Sequence, residues 1–329
     1  MKRFRRIGLI ALASGVLAFL VVPYLIPFES SGTLTAAEAA GPEAEFVTLA
    51  GLEVHIETAE YSGESADEPP LIVLLHGFGA STFSWRDVLE PLARSGDVIA
   101  YDRPGFGFTV RPISWEGANP YGTPGNLVLL DELLTAYAPG DREVILVGHS
   151  AGGAIAAEFA RTNPDAVDLL VLVSPAVYST GGVPGWLAPV LRFGPIDRVG
   201  PALVGGIASS GEELLRQIFV DQSLLTPAVY AGYRRPLTVA GWEEGLWRFV
   251  TAPRDNELAA NLGGLDQPVL LVTGSGDTVV PTSDTEQLAG ALPDAELVVI
   301  PRSGHLPHEE MPAAFIDAVV DWIDGAAAP

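Results

Sequence analysis

Short apolar runs without a charged residue constrain the fold of this chain more than any other feature. Runs of this kind are typical of strands buried on both faces of a sheet. Segments with a helical pattern separate them, which predicts parallel β-α-β units and an α/β fold with a doubly wound, mostly parallel sheet. The predicted strands are Leu71–Leu75, Val98–Tyr101, Val144–Val147, Leu169–Val173, Val269–Thr273 and Leu297–Ile300, and the predicted helices are Thr82–Arg94, Asn126–Tyr137, Ala151–Arg161, Thr285–Leu292 and Ala313–Ile323.

A long segment without such runs interrupts the alternation once. Between Ser179 and Pro253 the chain has short helical patterns divided by seven prolines, and it carries eight aromatic residues. We interpret this segment as a helical cap inserted over the sheet, and its aromatic and aliphatic residues indicate an apolar pocket. The predicted organisation is a β-hairpin at Glu45–Thr58 that opens a core at residues 44–178, a cap at 179–255, and the rest of the core at 256–325.

The N-terminus is predicted to be a separate element. Four basic residues precede a run from Ile7 to Phe28 that has no charged residue and, at 22 residues, is long enough to cross a bilayer as a helix. The basic residues predict that the N-terminus lies inside and the remainder of the chain outside. We favour a retained membrane anchor at residues 1–28. The alternative is a signal peptide cleaved near Ala37 and Ala39, which have A-x-A spacing. Residues 29–43, rich in Ser, Thr, Ala and Gly, are predicted to be a tether.

The composition of the chain excludes several kinds of site. After residue 28 there are 14 basic and 41 acidic residues, a net charge of −27, and so acidic a surface repels the phosphate backbone of nucleic acids. The chain has no cysteine, which excludes disulfides, thiolate metal sites and a cysteine nucleophile. We therefore expect no nucleic-acid partner and no metal.

One glycine-rich motif has both the residues and the context of a nucleophile. Gly148-His149-Ser150-Ala151-Gly152-Gly153 stands between a predicted strand and a predicted helix, and a G-x-S-x-G pattern on such a turn presents its serine hydroxyl above the sheet. Glycines on both sides let the strand and the helix approach each other. Ser150 is therefore the candidate nucleophile, and the start of the following helix favours the negative charge that develops there.

A serine nucleophile needs a base, and the base needs an orienting acid. Among five histidines, His305 and His308 lie in the loop after the last predicted strand, at the carboxyl edge of the sheet. We favour His305 because the preceding Gly304 lets the backbone turn. Asp277 follows the strand Val269–Thr273 in a glycine-rich loop, from which a carboxylate can reach that histidine.

Two backbone amides are the candidates for an oxyanion hole. The first is the N–H of Phe78, which stands between two glycines in the loop after the strand Leu71–Leu75. The second is the N–H of Ala151, directly after the candidate nucleophile. Preorganised donors of this kind stabilise the oxyanion of a tetrahedral intermediate.

Five segments in order carry a resemblance to a known family. They are His76-Gly77, the DRPGFG block from Asp102, GHSAGG at 148–153, GSGDTVVP at 274–281 and SGHLPHEEMP at 303–312. From about Glu45 to Ile323 the chain resembles the α/β-hydrolase fold superfamily, particularly its capped bacterial branch of carboxylesterases, lipases, cofactor-free haloperoxidases and C–C bond hydrolases. The resemblance implies a catalytic triad in the order Ser150, Asp277, His305 and a reaction without a cofactor.

Two residues narrow the reaction that this resemblance implies. Epoxide hydrolases and haloalkane dehalogenases of the same fold use an aspartate nucleophile, against which Ser150 argues. C–C hydrolases commonly carry Asn where this chain has His149, which favours hydrolysis of a small, apolar carboxylic ester through an acyl-enzyme. Two alternatives stay open: a C–C hydrolase with the same triad, and a non-catalytic binding member of the fold, although such members usually lack a triad residue.

Overall fold

A computed structural model describes residues 2–27, 29–63, 68–178, 183, 186–208, 211–253 and 257–326. Within these ranges eight strands form one sheet: β1 Glu45–Leu49, β2 Leu52–Ala59, β3 Leu71–Leu75, β4 Asp97–Tyr101, β5 Val144–His149, β6 Leu169–Val173, β7 Val269–Gly274 and β8 Ala295–Ile300. Their order in the sheet is β1-β2-β4-β3-β5-β6-β7-β8. The predicted hairpin, β1 and β2, pairs antiparallel, and β2 also pairs antiparallel with β4. All pairs from β4 to β8 are parallel, which confirms the predicted α/β fold.

The described α-helices are α1 Lys2–Leu25, α2 Ala36–Ala40, α3 Leu89–Leu92, α4 Thr123–Tyr137, α5 Ala151–Thr162, α6 Ala188–Leu191, α7 Gly194–Ala208, α8 Gly211–Ile218, α9 Pro227–Arg234, α10 Trp242–Thr251, α11 Thr282–Ala291, α12 Pro307–Glu310 and α13 Pro312–Ala326. Of these, α3, α4, α5, α11 and α13 pack on the two faces of this sheet. One prediction was wrong in its continuity, because the helix expected at Thr82–Arg94 is a 3-10 turn, Thr82–Trp85, followed by the single turn of α3. Pro91 has no N–H to bond the carbonyl of Asp87, and its ring crowds that carbonyl, which disfavours a continuous helix there.

The core lies on both faces of the sheet. Successive residues of a strand face opposite sides: Leu146 of β5 packs with α4 and α5, whereas its neighbours Ile145 and Val147 pack with α3 and α13. Every residue of β3, β5, β6 and β7 is buried. Packing on both faces keeps these strands rigid. The candidate site lies at the edge of the sheet formed by their carboxyl ends.

Helices α6 to α10 lie in the segment that we interpret as a cap, and this segment is called the cap from here on. Its expected first residue, 179, and last residue, 255, lie outside the described residues. Residues 29–43, which we expected to be a tether, run along the cap and are called the strap from here on. Ser30 and Ser31 donate hydrogen bonds to the carboxylate of Glu243 on α10, at 2.5 and 2.7 Å. The backbone amides of Thr33 and Leu34 donate to the carbonyl of Thr238. With its backbone paired in this way, the strap is a fixed part of the fold.

One helix in the described part of the chain, α1, is long and apolar enough to cross a membrane, from Phe4 to Leu25. Its described side chains are exposed except that of Pro23, which is half-buried. The helix therefore projects from the rest of the molecule and contacts it mainly at its C-terminal end, against α7.

Candidate active site

Ser150 lies on the sharp turn between β5 and α5. Its backbone has φ 52° and ψ −117°, a left-handed conformation that costs a non-glycine residue energy and that recurs at functional sites. Hydrogen bonds hold the turn, because the Ser150 N–H donates to the carbonyl of Val173 at 2.9 Å and its own carbonyl accepts from Ala176. A Cβ at position 152 would lie 2.2 Å from the carbonyl oxygen of Leu75. Only glycine at 152 thus lets the helix approach the sheet this closely.

His305 and Asp277 contact each other directly. Nδ1 of His305 donates to Oδ2 of Asp277 at 2.8 Å, and both side chains are buried. The second carboxylate oxygen, Oδ1, accepts the backbone N–H groups of Val279 and Val280 at 2.9 and 3.0 Å. The carboxylate of Asp277 is therefore oriented by the backbone of its own loop. Because His305 bonds Asp277 through Nδ1, its Nε2 remains available to accept a proton.

The structure brings His305, and not His308, to Asp277. His308 is buried beneath the loop, with its ring 4.5 Å from that of Trp85 and its Nε2 3.0 Å from Oγ of Ser84. Burial lowers the pKa of His308 well below its ordinary value, so this ring stays neutral. His305 therefore stays the candidate base.

Ser150 and His305 line the same pocket, between the sheet edge and the cap. Its volume is about 420 Å³, within the range of small-molecule sites. Aliphatic and aromatic side chains dominate the wall, and the cap contributes Leu214, Leu215, Ile218, Leu237, Trp242 and Leu246. Most other cap aromatics pack within the cap or against the core, as Phe219 and Phe249 do. Within the described residues, no group of three or more His, Asp or Glu side chains could hold a metal ion.

Of the two amides expected to bind an oxyanion, that of Phe78 lies on the loop after β3 and that of Ala151 on the first residue of α5, directly after Ser150. Among the described residues, neither the N–H of Phe78 nor that of Ala151 donates to another group of the protein. The carbonyl of Gly77 accepts from Nδ1 of His76 at 2.8 Å and from Nη2 of Arg103 at 3.1 Å. In a trans peptide the C=O and the next N–H point in opposite directions, so these two donors also set the direction of the Phe78 N–H.

His76 is neutral in this arrangement. Burial, with the nearby Arg103 charge, lowers the pKa of His76 to about 3. Its Nδ1 carries the proton that bonds Gly77, because Nε2 accepts the backbone N–H of Arg103 at 3.0 Å. We did not anticipate that either residue would hold the loop of Phe78, which is called the oxyanion loop from here on after its expected role. The only signal in the sequence was their place in the HG and DRPGFG segments.

The profile of the alpha/beta hydrolase family matches residues 72–318, which include the turn at Ser150, Asp277 and His305. The chain belongs to the α/β hydrolase family. It is similar to the uncharacterized hydrolase YugF of Bacillus subtilis, with 27% identity over 290 residues that cover 87% of this chain and 99% of YugF.

Solved structures of esterases and lipases share the fold of this α/β hydrolase. A membrane phospholipase A, described as a bacterial virulence factor, superimposes with a TM-score of 0.65 at 25% identity, and the match covers 100% of both chains. A thermophilic esterase from Thermogutta terrifontis has a TM-score of 0.66 at 21% identity, covering 87% of this chain and 100% of the esterase. At that identity the esterase shows the fold alone.

Two adjacent glutamates of this α/β hydrolase join the cap to the loop of His305. The carboxylate of Glu309 accepts the hydroxyl of Tyr233, on α9, and Nη1 of Arg86 at 2.6 Å. Glu310 accepts the backbone N–H of Gly304 at 2.5 Å through one oxygen and that of Val220, beyond α8, at 2.7 Å through the other. Sequence reasoning did not find either glutamate. Their partners in the cap, Tyr233 and Val220, lie 76 and 90 positions away along the chain, and only the folded chain brings them into contact.

Proposed function

We propose that this α/β hydrolase cleaves a carboxylic ester, with an apolar acyl or alcohol part, through an acyl-enzyme formed on Ser150. The observation that carries the proposal is the contact of Asp277 with His305 in the pocket that Ser150 lines. The resemblance to the membrane phospholipase A, which covers both chains in full, supports an ester of this kind.

In the proposed mechanism Ser150 attacks the substrate carbonyl while Nε2 of His305 takes the hydroxyl proton. Asp277 keeps the imidazole in the tautomer with its proton on Nδ1 and stabilises the imidazolium that forms. The protonated histidine then donates to the leaving alcohol, and the acyl group stays on Ser150. A water molecule, deprotonated by the same histidine, attacks the acyl-enzyme and releases the acid.

The tetrahedral oxyanion would form opposite the amides of Phe78 and Ala151. Each donor contributes about 3–4 kcal/mol in comparable enzymes. The free N–H groups at the start of α5 add the positive end of a helix dipole. No step of this mechanism requires a metal or an organic cofactor.

We further propose that α1 is a retained anchor and that the hydrolase domain lies on the outer side of the membrane. The basic residues before the apolar run support this orientation. The strap supports retention, because Arg235 of the cap donates to the carbonyls of Ala39 and Ala40, at 2.7 Å each. Cleavage at the A-x-A spacing would remove or free the residues that pack there. Fractionation with N-terminal sequencing tests retention, and external protease on whole cells tests orientation.

Labelling of the full chain with a fluorophosphonate probe, together with a panel of aryl esters of different acyl length, tests the catalytic proposal. We expect labelling and ester turnover in the native chain and neither in Ser150→Ala. Ser174→Ala is a matched control, since Ser174 is another buried serine with a positive φ at the end of a strand. Labelling that survives Ser150→Ala would contradict the assignment. Turnover of a ring-fission dienone without ester turnover would favour a C–C hydrolase.

A further inference from the structure

The membrane helix and the cap are held together at two places. The ring of Phe19, in α1, stacks on that of Phe193, directly before α7, with centroids 6.3 Å apart. One turn further along α1, the hydroxyl of Tyr24 occupies the space that a side chain at Gly194 would need. The strap then runs from the end of α1 to α10 and bonds Glu243 there. These contacts fix the position of the cap along the axis of α1, next to Phe19 and Tyr24.

Part of the cap therefore lies beside α1, before the C-terminal end of that helix, and not beyond it. Phe19 precedes Leu25, the last residue of α1, by six residues, which at 1.5 Å per residue is about 9 Å along the axis. The whole apolar span, Phe4–Leu25, measures about 33 Å by the same rise, close to the thickness of a bilayer's hydrocarbon core. A cap residue that contacts Phe19 therefore lies within the depth that α1 itself occupies in a membrane.

The cap segment that leads to Phe193 has the composition of a membrane interface. Residues 186–191, which lead into and form α6, contain no charged residue. Trp186 is 76% exposed, and Val190 and Phe193 are each 47% exposed. Tryptophan and tyrosine are enriched at the boundary between lipid headgroups and acyl chains, and Tyr24 is the last residue but one of α1. The next residue, Arg192, turns back to the protein and donates to the carbonyl of Thr251 at 3.0 Å.

We propose that residues 186–193 of the cap insert into the outer leaflet beside α1, with Trp186, Val190 and Phe193 against lipid. This inference rests on the proposed membrane anchor. Helices that lie in an interface bury their apolar face by about 5–10 Å, which agrees with the depth set by Phe19. The rest of the hydrolase domain is strongly acidic and repelled by anionic headgroups. Residues 186–191 carry no charge, and Arg192 is bonded to Thr251, so this segment is the part of the cap suited to enter the bilayer. The cap residues that line the pocket then lie close to the lipid, from which an ester dissolved in the membrane could enter.

A depth measurement on the full chain in liposomes tests the proposal directly. The chain has no cysteine, so single cysteines can carry an environment-sensitive fluorophore at chosen positions. Val190→Cys and Trp186→Cys report on the cap segment, and Leu12→Cys reports on the middle of α1. Val128→Cys, on α4, is the matched control, because Val128 is a surface valine of almost equal exposure, 45%. The vesicles are phosphatidylcholine with nitroxide groups placed at a shallow or a deep position of the acyl chain.

We expect the labels at 190 and 186 to lose fluorescence with the shallow nitroxide, the label at 12 with the deep one, and the label at 128 with neither. Quenching at 12 but not at 190 or 186 would overturn the inserted segment and leave the anchor intact. A blue-shifted label at 190 that no nitroxide quenches would overturn it in favour of a second copy of the chain. No quenching at 12 would overturn both the anchor and the inference. Turnover of a soluble aryl ester by each labelled variant shows that it is folded.

Discussion

The imidazole of His149 donates a hydrogen bond from Nε2 to the backbone carbonyl of His305, at 2.9 Å. This contact ties the residue before the proposed nucleophile to the proposed base itself. Burial, and then the neighbouring histidines, lower the pKa of His149 well below its ordinary value, so the ring is neutral and holds its proton on the nitrogen that donates. A Cβ at position 77 would lie 2.7 Å from the other ring nitrogen. The ring is thus wedged between the oxyanion loop and the loop of the base.

We expect His149→Ala to lower kcat by about tenfold and to change KM little, because one hydrogen bond that positions His305 is lost, worth roughly 1 kcal/mol, together with local packing. His149→Gln retains a donor and should recover part of the loss. Steady-state kinetics on an aryl ester measures both. The acid limb of the kcat/KM profile should keep its midpoint, since His149 does not titrate near neutral pH. Equal activity in all three proteins would exclude a positioning role.

The two histidines of the last loop should differ sharply when each is replaced. His305→Ala should reduce kcat by several orders of magnitude, about as much as Ser150→Ala, because members of a triad act as a unit. His308→Gln should cost far less, since His308 bonds Ser84 and does not contact Asp277. Burst-phase assays separate acylation from deacylation in each variant. An inactive His308→Gln beside an active His305→Ala would reverse the assignment.

Arg103 should influence catalysis without touching the substrate carbonyl. Replacing it by Met removes the guanidinium bond to Gly77 and loosens the peptide whose N–H, on Phe78, is a proposed donor to the oxyanion. We expect kcat to fall by roughly tenfold, about 1.4 kcal/mol. Arg142→Met, which removes a guanidinium bonded to the carbonyl of Pro69 at the opposite end of β3, serves as the control. The idea fails if both variants reduce kcat to the same extent.

Tyr233 should govern how firmly the cap closes over the pocket. Its hydroxyl donates to Glu309 of the core, and its side chain lines the pocket. In Tyr233→Phe the ring remains but the hydrogen bond is lost, so we expect KM to rise several-fold while kcat stays within about twofold. Tyr137→Phe, on α4 away from the pocket, is the comparison. A pure loss of kcat would contradict a role in holding the cap.

Buried neutral histidines should make the fold sensitive to acid. The pKa values of His76, His149 and His308 are lowered mainly by burial, so below about pH 6.5 the unfolded chain binds protons that the folded chain does not. The free energy of unfolding then falls as pH falls, by about 1.4 kcal/mol per pH unit for each histidine. The carboxyls of Glu143, Glu309 and Glu310, whose pKa values are raised by burial, act in the opposite sense. Those of Asp102 and Glu243, whose pKa values are lowered, act in the same sense as the histidines.

The contribution of one histidine to this slope is measurable. In His308→Gln the loss of stability between pH 6 and pH 5 should be smaller than in the native chain by about 1.4 kcal/mol. Denaturant titrations of the detergent-solubilised full chain at the two pH values give the difference. An unchanged slope would mean that His308 is protonated in the folded state or remains neutral in the unfolded one.

Local patterns in the sequence were sufficient for the parallel sheet and for the turn at Ser150. Each buried strand is a run of adjacent apolar residues, and Gly148, Ser150 and Gly152 stand within five positions, so the signal and the structure it predicts lie in the same segment. The positions of Asp277 and His305 followed from the rule that parallel strands end at one edge of the sheet. In a parallel sheet, a residue that follows the end of a strand in the sequence therefore lies at a known edge of the sheet.

The amino-acid sequence by itself determined the fold class, the apolar N-terminal helix and which residues could form a triad. Only the tertiary structure decided that His149 holds the loop of His305, that Glu309 and Glu310 clamp the cap, and that the strap fixes the cap to α1. Most of these contacts join residues dozens to hundreds of positions apart, on elements that do not follow one another along the chain. They depend on how irregular loops pack and satisfy their polar groups, and neither spacing nor periodicity encodes that packing.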